Sequence, residues 1–305
     1  METYKLNNGM EIPAIGFGCY NAKGGDNYQI IMDAIKSGYR FFDTASVYET
    51  ERDLGRAIKD SGIPRSEFFI QSKAWIDEMG ADNVNAAIDR TLSRLQMDYV
   101  DVYLIHWPRM TPVEKGAPGH PEVSYSEPEY ATRDDWKELE IETYRAMEKM
   151  VDDGKIKAIG LSNFLPHHLI NILDNCRIKP VVDQLEVHLG YTQGTAVSFA
   201  QENGICVEAW SPLGRADVFN EPFFKKMADK YKVSVAQLGL RFLYQMGIIP
   251  LPKATAPQRQ QENLDIFSFE ISKEDFYILA CMVPCCWQKE HPDFVIPKRA
   301  SKFDQ

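Results

Sequence analysis

Basic residues are scarce in this chain, cysteines are few, and long apolar runs are missing; each shortage removes a class of protein. Over 305 residues there are 34 Lys and Arg against 44 Asp and Glu, a formal net charge of −10. Nucleic acid is bound through clustered cations, so it is not expected as a main partner. A few local cations can still seat one nucleotide. No uninterrupted apolar stretch reaches the ~18 residues of a membrane-spanning helix. The N-terminus, METYKLNNGMEIPAIGFG, has no basic stretch followed by an apolar one. Neither a signal peptide nor a membrane partner is therefore expected. Six cysteines are too sparse for a disulfide scaffold and fit reduced thiols in a cytoplasmic protein. Only Cys281, Cys285 and Cys286 cluster, and C-x3-C-C lacks the second half of a zinc site, so no metal is expected.

What is present is core material, 44% hydrophobic residues, in a regular alternation. Short apolar runs at Ala14–Gly18, Tyr39–Asp43, Glu67–Lys73, Tyr99–His106, Ile156–Ser162, Val181–Val187, Ile205–Trp210 and Ile248–Leu251 are mostly continuous. Continuous strands are buried on both faces, as in a parallel sheet covered by helices. Between them lie helical patterns. Asp26–Ser37 repeats Ile30, Ile31, Ala34 and Ile35 and is followed by Gly38 at a C-cap position. Asp82–Leu95 and Asp134–Val151 carry similar stripes. Eight βα units in succession predict an α/β fold of the (β/α)8 TIM-barrel type, one domain over residues 1–305. The rival doubly wound sheet needs G-x-G-x-x-G after its first strand; here Gly16-Phe17-Gly18 is followed by Cys19-Tyr20-Asn21.

Additions to the barrel are also legible. Asn7-Asn8-Gly9 between short β-prone runs predicts an N-terminal hairpin covering the barrel floor. Trp107–Arg133 is Pro-rich and irregular, and Ser211–Val233 holds an extra helix, Glu221–Tyr231, before another at Ser234–Met246. Both connections follow strand C-terminal ends, where barrel enzymes build their sites. The tail Cys285–Gln305, with Trp287, is expected to lie as a loop over the mouth.

Asp43, Lys73 and His106 each end an apolar run, and Tyr48 follows Asp43 by five residues. Polar groups ending runs that should be buried are costly unless they are used or paired. Neighbouring strands of a barrel bring such ends together. A phenol titrates near ~10, too high for a good acid at neutral pH, and a nearby ammonium favours the phenolate. Asp43 would hold Lys73 in place, and His106 can donate to a carbonyl oxygen. The set fits protonation of a carbonyl oxygen while hydride reaches the carbon. The plainer alternative is a core Asp43–Lys73 ion pair with an unrelated Tyr and His.

The chain resembles the aldo-keto reductases over its whole length. G-Y-R-F-F-D-T-A-S-V-Y, S-K-A-W, H-W-P, G-L-S-N-F, D-Q-L-E, S-P-L-G and L-P-K-x5-R-x2-E-N occur in that family's order. The resemblance implies a catalytic tetrad of Asp43, Tyr48, Lys73 and His106, with Tyr48 as general acid. It implies a cofactor extended across the barrel mouth. Ser162, Asn163 and Gln184 would hold the nicotinamide carboxamide, and Trp210, where the family usually has Tyr, would stack on the ring. Gly18, Cys19 and Tyr20 after the first strand, and Ser211, Leu213 and Gly214, would approach it too. Arg215, just past Leu213-Gly214, could meet the pyrophosphate or be an ordinary surface Arg. Lys253 and Arg259 would grip a 2′-phosphate, with Thr255 a candidate substitute for the family's Ser, followed by Glu262 and Asn263. The family's Ser after that Lys is Ala254 here, and its frequent Thr is Cys19. NADPH is the implied cofactor, with NADH as the alternative. Tyr20, Trp75, His106 and Trp107 would line an aromatic substrate pocket. A small-molecule carbonyl substrate and a monomer or weak dimer are expected. A competing reading is a cofactor-binding regulatory or structural protein on the same scaffold with little turnover. A metal-assisted hydrolase would need clustered ligands, which six histidines, two of them adjacent at His167–His168, do not supply.

Overall fold

Eight short strands run parallel in chain order, each hydrogen-bonded to the next. They are β3 Phe17–Gly18, β4 Phe41–Asp43, β5 Phe69–Ala74, β6 Val100–Ile105, β7 Ile156–Ser162, β8 Val182–Glu186, β9 Cys206–Trp210 and β10 Ile248–Pro250. The two edges meet: Gly16 N–H donates to Pro250 O and Gly18 N–H to Pro252 O, both at 3.1 Å. The sheet therefore closes, and the fold is a (β/α)8 barrel. The computed structural model describes residues 2–20, 26–108 and 135–282. Most of the Trp107–Arg133 connection and the tail with Cys285, Cys286 and Trp287 lie outside the described residues.

The predicted hairpin is present: β1 Thr3–Lys5 pairs antiparallel with β2 Glu11–Pro13. Its turn uses Gly9 at φ 89°, a left-handed conformation that suits glycine. Leu6 and Ile12 from this hairpin join Phe41, Phe69, Val102, Leu104, Val182 and Ile249 in one buried cluster. That cluster fills the lower barrel, and the hairpin seals its N-terminal end.

Ten helices surround the described barrel: α1 Asn27–Ser37, α2 Glu51–Asp60, α3 Ala81–Leu95, α4 Asp135–Asp152, α5 Pro166–Leu173, α6 Gly194–Glu202, α7 Pro222–Tyr231, α8 Val235–Gln245, α9 Pro257–Leu264 and α10 Lys273–Ala280. Their ends follow capping chemistry. Asp26 accepts from Gln29 N–H at the start of α1, and Gly38 ends it at φ 112°. Ser234 and Gln237 cap α8 reciprocally. A second core, including Ile31, Ile35, Val84, Ile88, Met147 and Leu243, lies between sheet and helices.

Side chains along a strand alternate between faces. The parity that turns Phe41, Phe69, Val102 and Val182 inward also turns Asp43, Gln71, Lys73, His106 and Gln184 inward, higher in the barrel. Gly160 makes room among them. A Cβ there would come within 2.6 Å of Val182 Cγ2 and 2.8 Å of Leu104 Cγ. The barrel is thus apolar below and polar above, open at the strands' C-terminal ends.

Candidate active site

The floor of the open end is built from β4, β5 and β6. Lys73 has a fully buried side chain, and its Nζ donates to Asp43 Oδ1 at 2.5 Å and to Thr44 O at 3.0 Å. A lone ammonium there would be expensive; the Asp43 carboxylate and a carbonyl compensate it. After Asp43 the chain enters a 3₁₀ turn, Ser46–Tyr48, and leaves it through Glu49 at φ 60°. The turn is tied down by Ser46 Oγ to Glu78 (2.6 Å), Arg94 to Ser46 O (3.4 Å) and Arg94 to Glu51 (3.2 Å). Tyr48 is thereby held with its ring centroid 5.3 Å from Lys73 Nζ and its hydroxyl 3.4 Å from His106 Nε2. A cation at that distance favours phenolate over phenol. The His106 ring meets Trp75 edge-on at 4.8 Å, and Tyr20 meets Tyr48 edge-on at 4.9 Å. All four residues expected to act together do converge.

Above them opens a cavity of about 1020 Å³. Asp43, Tyr48 and His106 line its base, with Tyr20, Trp75, Trp107 and Trp210 as aromatic walls. Gly18, Ser162, Asn163, Gln184, Ser211, Leu213, Arg215, Lys253, Thr255, Arg259, Glu262 and Asn263 also line it. Three expected residues do not. Lys73 lies beneath the floor. Cys19 is buried, its amide donating to Asp43 O at 2.8 Å, and burial pushes its thiol pKa far up. Gly214 backs onto Val218 and His188.

Two amides at the base have fixed orientations. Asn163, at φ 66°, donates from Nδ2 to His106 O (2.9 Å) and Ser162 Oγ (3.1 Å), while Oδ1 accepts from Trp210 Nε1 at 2.8 Å. Gln184 donates from Nε2 to Asp43 Oδ1 (3.0 Å) and Glu208 Oε2 (2.8 Å). With their protons committed, both side chains have only oxygen lone pairs left to offer. A carboxamide N–H2 is the complementary group.

The mouth is locally basic in an acidic protein. Among the described residues, Arg215, Lys225, Lys253 and Arg259 line the cavity against Asp43 and Glu262. Lys253 is half-buried, its Nζ 5.7 Å from the Tyr20 ring centroid. Burial lowers its pKa to about 8. Cations gathered in a cleft attract anions such as phosphates. Asn163, Ser211, Arg215 and Ala216 all have positive φ, between 48° and 78°. Such strain concentrates where a ligand is gripped.

Sequence reasoning passed over several lining residues, among them Val47, Phe219, Lys225 and Ser234. Lys225 and Phe219 lie in the long connection after β9, but nothing in their spacing singles them out. It also passed over Gln71 and Glu208, polar residues inside apolar strand runs. Among the described residues, no group of His, Cys, Asp and Glu could hold a metal ion. No helix among them is long and apolar enough to cross a membrane.

Comparison with known proteins fits this geometry. The family model for the aldo/keto reductase family matches residues 14–282. Glyoxal reductase of Bacillus subtilis (strain 168) is 40% identical over 275 residues, 90% of each chain. NADH-dependent D-xylose reductase of Candida parapsilosis is 37% identical over 300 residues, again 90% of each. An aldo-keto reductase of Bombyx mori, solved in complex with NADP, matches with a TM-score of 0.79 at 30% identity, covering 91% of each chain.

Proposed function

Since this chain belongs to the aldo/keto reductase family, and so is an oxidoreductase acting on carbonyl groups with a nicotinamide cofactor, we propose that it uses NADPH, with Tyr48 as the proton donor. The observation that carries this is the Tyr48 hydroxyl lying 3.4 Å from His106 Nε2 at the cavity base, with Lys73 buried behind it.

A carbonyl oxygen seated between Tyr48 and His106 accepts from both and is polarised by them. The bound nicotinamide supplies hydride to the carbonyl carbon. As negative charge gathers on the oxygen, Tyr48 transfers its proton to it and the product is the alcohol. Lys73 favours the phenolate left behind, and Asp43 keeps that cation paired. His106 orients the oxygen, and Tyr20, Trp75 and Trp107 keep water from the reacting atoms.

The remaining residues suit the cofactor. Oxygens of Asn163 and Gln184 face a carboxamide amino group, Ser162 supports Asn163, and Trp210 offers a ring face. Arg215 and Lys225 suit the pyrophosphate, with the loop through Ser211 and Leu213 beside it. Lys253, Thr255 and Arg259 suit a 2′-phosphate, and Glu262 and Asn263 the adenosine end. NADH is the second reading. Ala254 removes a hydroxyl donor, a loss of ~1 kcal/mol, and a relative at 37% identity is named NADH-dependent. Two cations facing a phosphate dianion outweigh one hydroxyl. The aromatic walls suit an aldehyde or ketone with apolar surface.

The test is Tyr48→Phe, followed at 340 nm across a panel of aldehydes and ketones with NADPH and with NADH. Turnover should fall at least ~10²-fold, as for loss of a general acid, with nucleotide affinity kept. Undiminished turnover would remove Tyr48 from the mechanism. No oxidation of either cofactor by the unaltered protein would favour a binding role instead.

A further inference from the structure

Below the cavity, two carboxyl groups and two amides form a closed ring. Gln71 Nε2 donates to Asp43 Oδ1 (2.8 Å) and Glu208 Oε2 (2.7 Å), and Gln184 Nε2 donates to the same two atoms (3.0 and 2.8 Å). An amide amino group has two protons, so both glutamines are fully committed. Asp43 Oδ1 also accepts from Lys73. Turning Gln184 over would set its Oε1 against two acceptors at once.

We infer that Glu208 is a positioning residue that holds the Gln184 amide with Oε1 towards the cavity, ready to accept from the carboxamide amino group of a bound nicotinamide. Resting on the reductase reading above, Glu208 acts through Gln184 and touches no reacting atom. Asp43 alone opposes rotation of that amide with one acceptor instead of two. Without Glu208 the second Gln184 proton loses its acceptor, and the amide gains a reason to rotate.

The unsatisfied atoms point the same way. Glu208 is fully buried, and its Oε1 and the Oε1 of Gln71 are both enclosed without a hydrogen-bond partner. The two groups are already joined by Gln71 Nε2–H to Glu208 Oε2, so one proton carried on Glu208 Oε1 towards Gln71 Oε1 would satisfy both. Burial first, and then the Asp43 charge, raise the Glu208 pKa to about 7, against the two amide donations and Lys73. The other titratable groups acting with it are Asp183 on β8 and Cys206 on its own strand. A protonated Glu208 is mimicked by glutamine, which keeps one acceptor for the two amides and one donor for Gln71.

The experiment compares Kd for NADP+, for its 3-acetylpyridine analogue, which has no amide N–H, and for adenosine 2′,5′-bisphosphate, which has no nicotinamide. The unaltered protein should prefer NADP+ over the analogue by about 5- to 10-fold, one hydrogen bond's worth. Glu208→Leu should bring that ratio close to one and leave adenosine 2′,5′-bisphosphate binding unchanged. Glu208→Met serves if leucine does not fold, and Glu208→Gln should keep the original ratio. A ratio preserved in Glu208→Leu or Glu208→Met, or lost in Glu208→Gln, overturns the inference, as does equal weakening of all three ligands. Gln184→Leu separates the two levels. If it abolishes the ratio and Glu208→Leu does not, only the role of Glu208 fails. If it leaves the ratio intact, the carboxamide contact and the role of Glu208 fall together.

Discussion

Under the proposed assignment of Lys253 to a 2′-phosphate, NADPH affinity should depend on pH. The Lys253 ammonium is half-buried, and burial has lowered its pKa to about 8. A 2′-phosphate bound against it requires the charged form. Its second ionisation lies near ~6, so above pH 7 it is a dianion that titrates no further. A guanidinium does not titrate in this range, and the neighbouring Cys19 thiol is pushed well above it. One group therefore controls the profile. Near pH 7 the free protein is mostly protonated and the phosphate mostly ionised, so Kd is near its minimum. Above the pKa each binding event must take up a proton, so Kd should rise about 2-fold at pH 8 and about 11-fold at pH 9, close to 1.4 kcal/mol. Calorimetric titrations between pH 6.5 and 9.5 at constant ionic strength would measure this, since phosphate contacts are salt-sensitive. NADH, lacking the 2′-phosphate, should show no such slope, and Lys253→Arg should flatten the NADPH curve. A flat NADPH profile through pH 9, or an equal slope for NADH, refutes the assignment of Lys253 to the phosphate.

Three further outcomes follow from the packing. Glu208 carries a pKa raised from 4.5 to about 7, so between those values the folded chain holds a proton that the unfolded chain has lost. Stability should fall as pH rises through that window, by about 3 kcal/mol once pH is well above 7. Glu208→Gln should lack this fall when urea melts at pH 5 and pH 8 are compared; parallel profiles for the two proteins would contradict it. Gly55→Ala would place a Cβ 2.1 Å from the Leu95 carbonyl oxygen where α2 and α3 meet. The helices must part, and despite alanine's better helix propensity a loss of roughly 1–3 kcal/mol is expected; an unchanged or raised Tm would show that the contact yields. Trp210→Phe keeps a ring but removes the 2.8 Å bond to Asn163 Oδ1. It should weaken NADP+ several-fold while sparing adenosine 2′,5′-bisphosphate, and equal effects on both ligands would speak against it.

Some of the fold is written plainly in the residues and some is not. All eight barrel strands overlap the expected, mostly continuous apolar runs, because nearly all of their residues are buried and a polar residue among them is conspicuous. Helices α1, α3 and α4 show clear stripes because they cover wide areas of sheet. Helix α9 is illegible as a helix because it buries little beyond Gln260 and Asn263. Gln260 is there as a connector, donating to Ile30 O and Ala254 O at 3.0 Å each. The first strand shrinks from the expected Ala14–Gly18 to two residues, since Gly16 pairs with the last strand and Ala14 N–H turns to Glu2 O. Closure of a barrel depends on that non-local exchange, which no periodicity records.

The site divides along a similar line, and the division has a physical rule behind it. Asp43, Lys73 and His106 are visible because each stands at the end of an apolar run. Gln71 and Glu208 stand inside such runs and give the same signal, yet Ser72 and Asp183 give it too while facing the other way. Ser72 donates outward to Glu51 at 2.8 Å, and Asp183 accepts from Phe164 N–H at 3.4 Å. Alternation resolves the four. Counting back two residues from Lys73 gives Gln71, and from Trp210 gives Glu208, both inward; Ser72 and Asp183 fall on the helix-facing parity. Once one residue of a barrel strand is assigned to the mouth, its neighbour two positions earlier is therefore the candidate for the floor beneath. In this chain those floor positions are polar on β5 and β9, where Gln71 donates to Glu208 beneath the cavity. Apolar floor residues would have stabilised the barrel at least as well, and under the role proposed for Glu208 the polar floor serves to orient the amide above it.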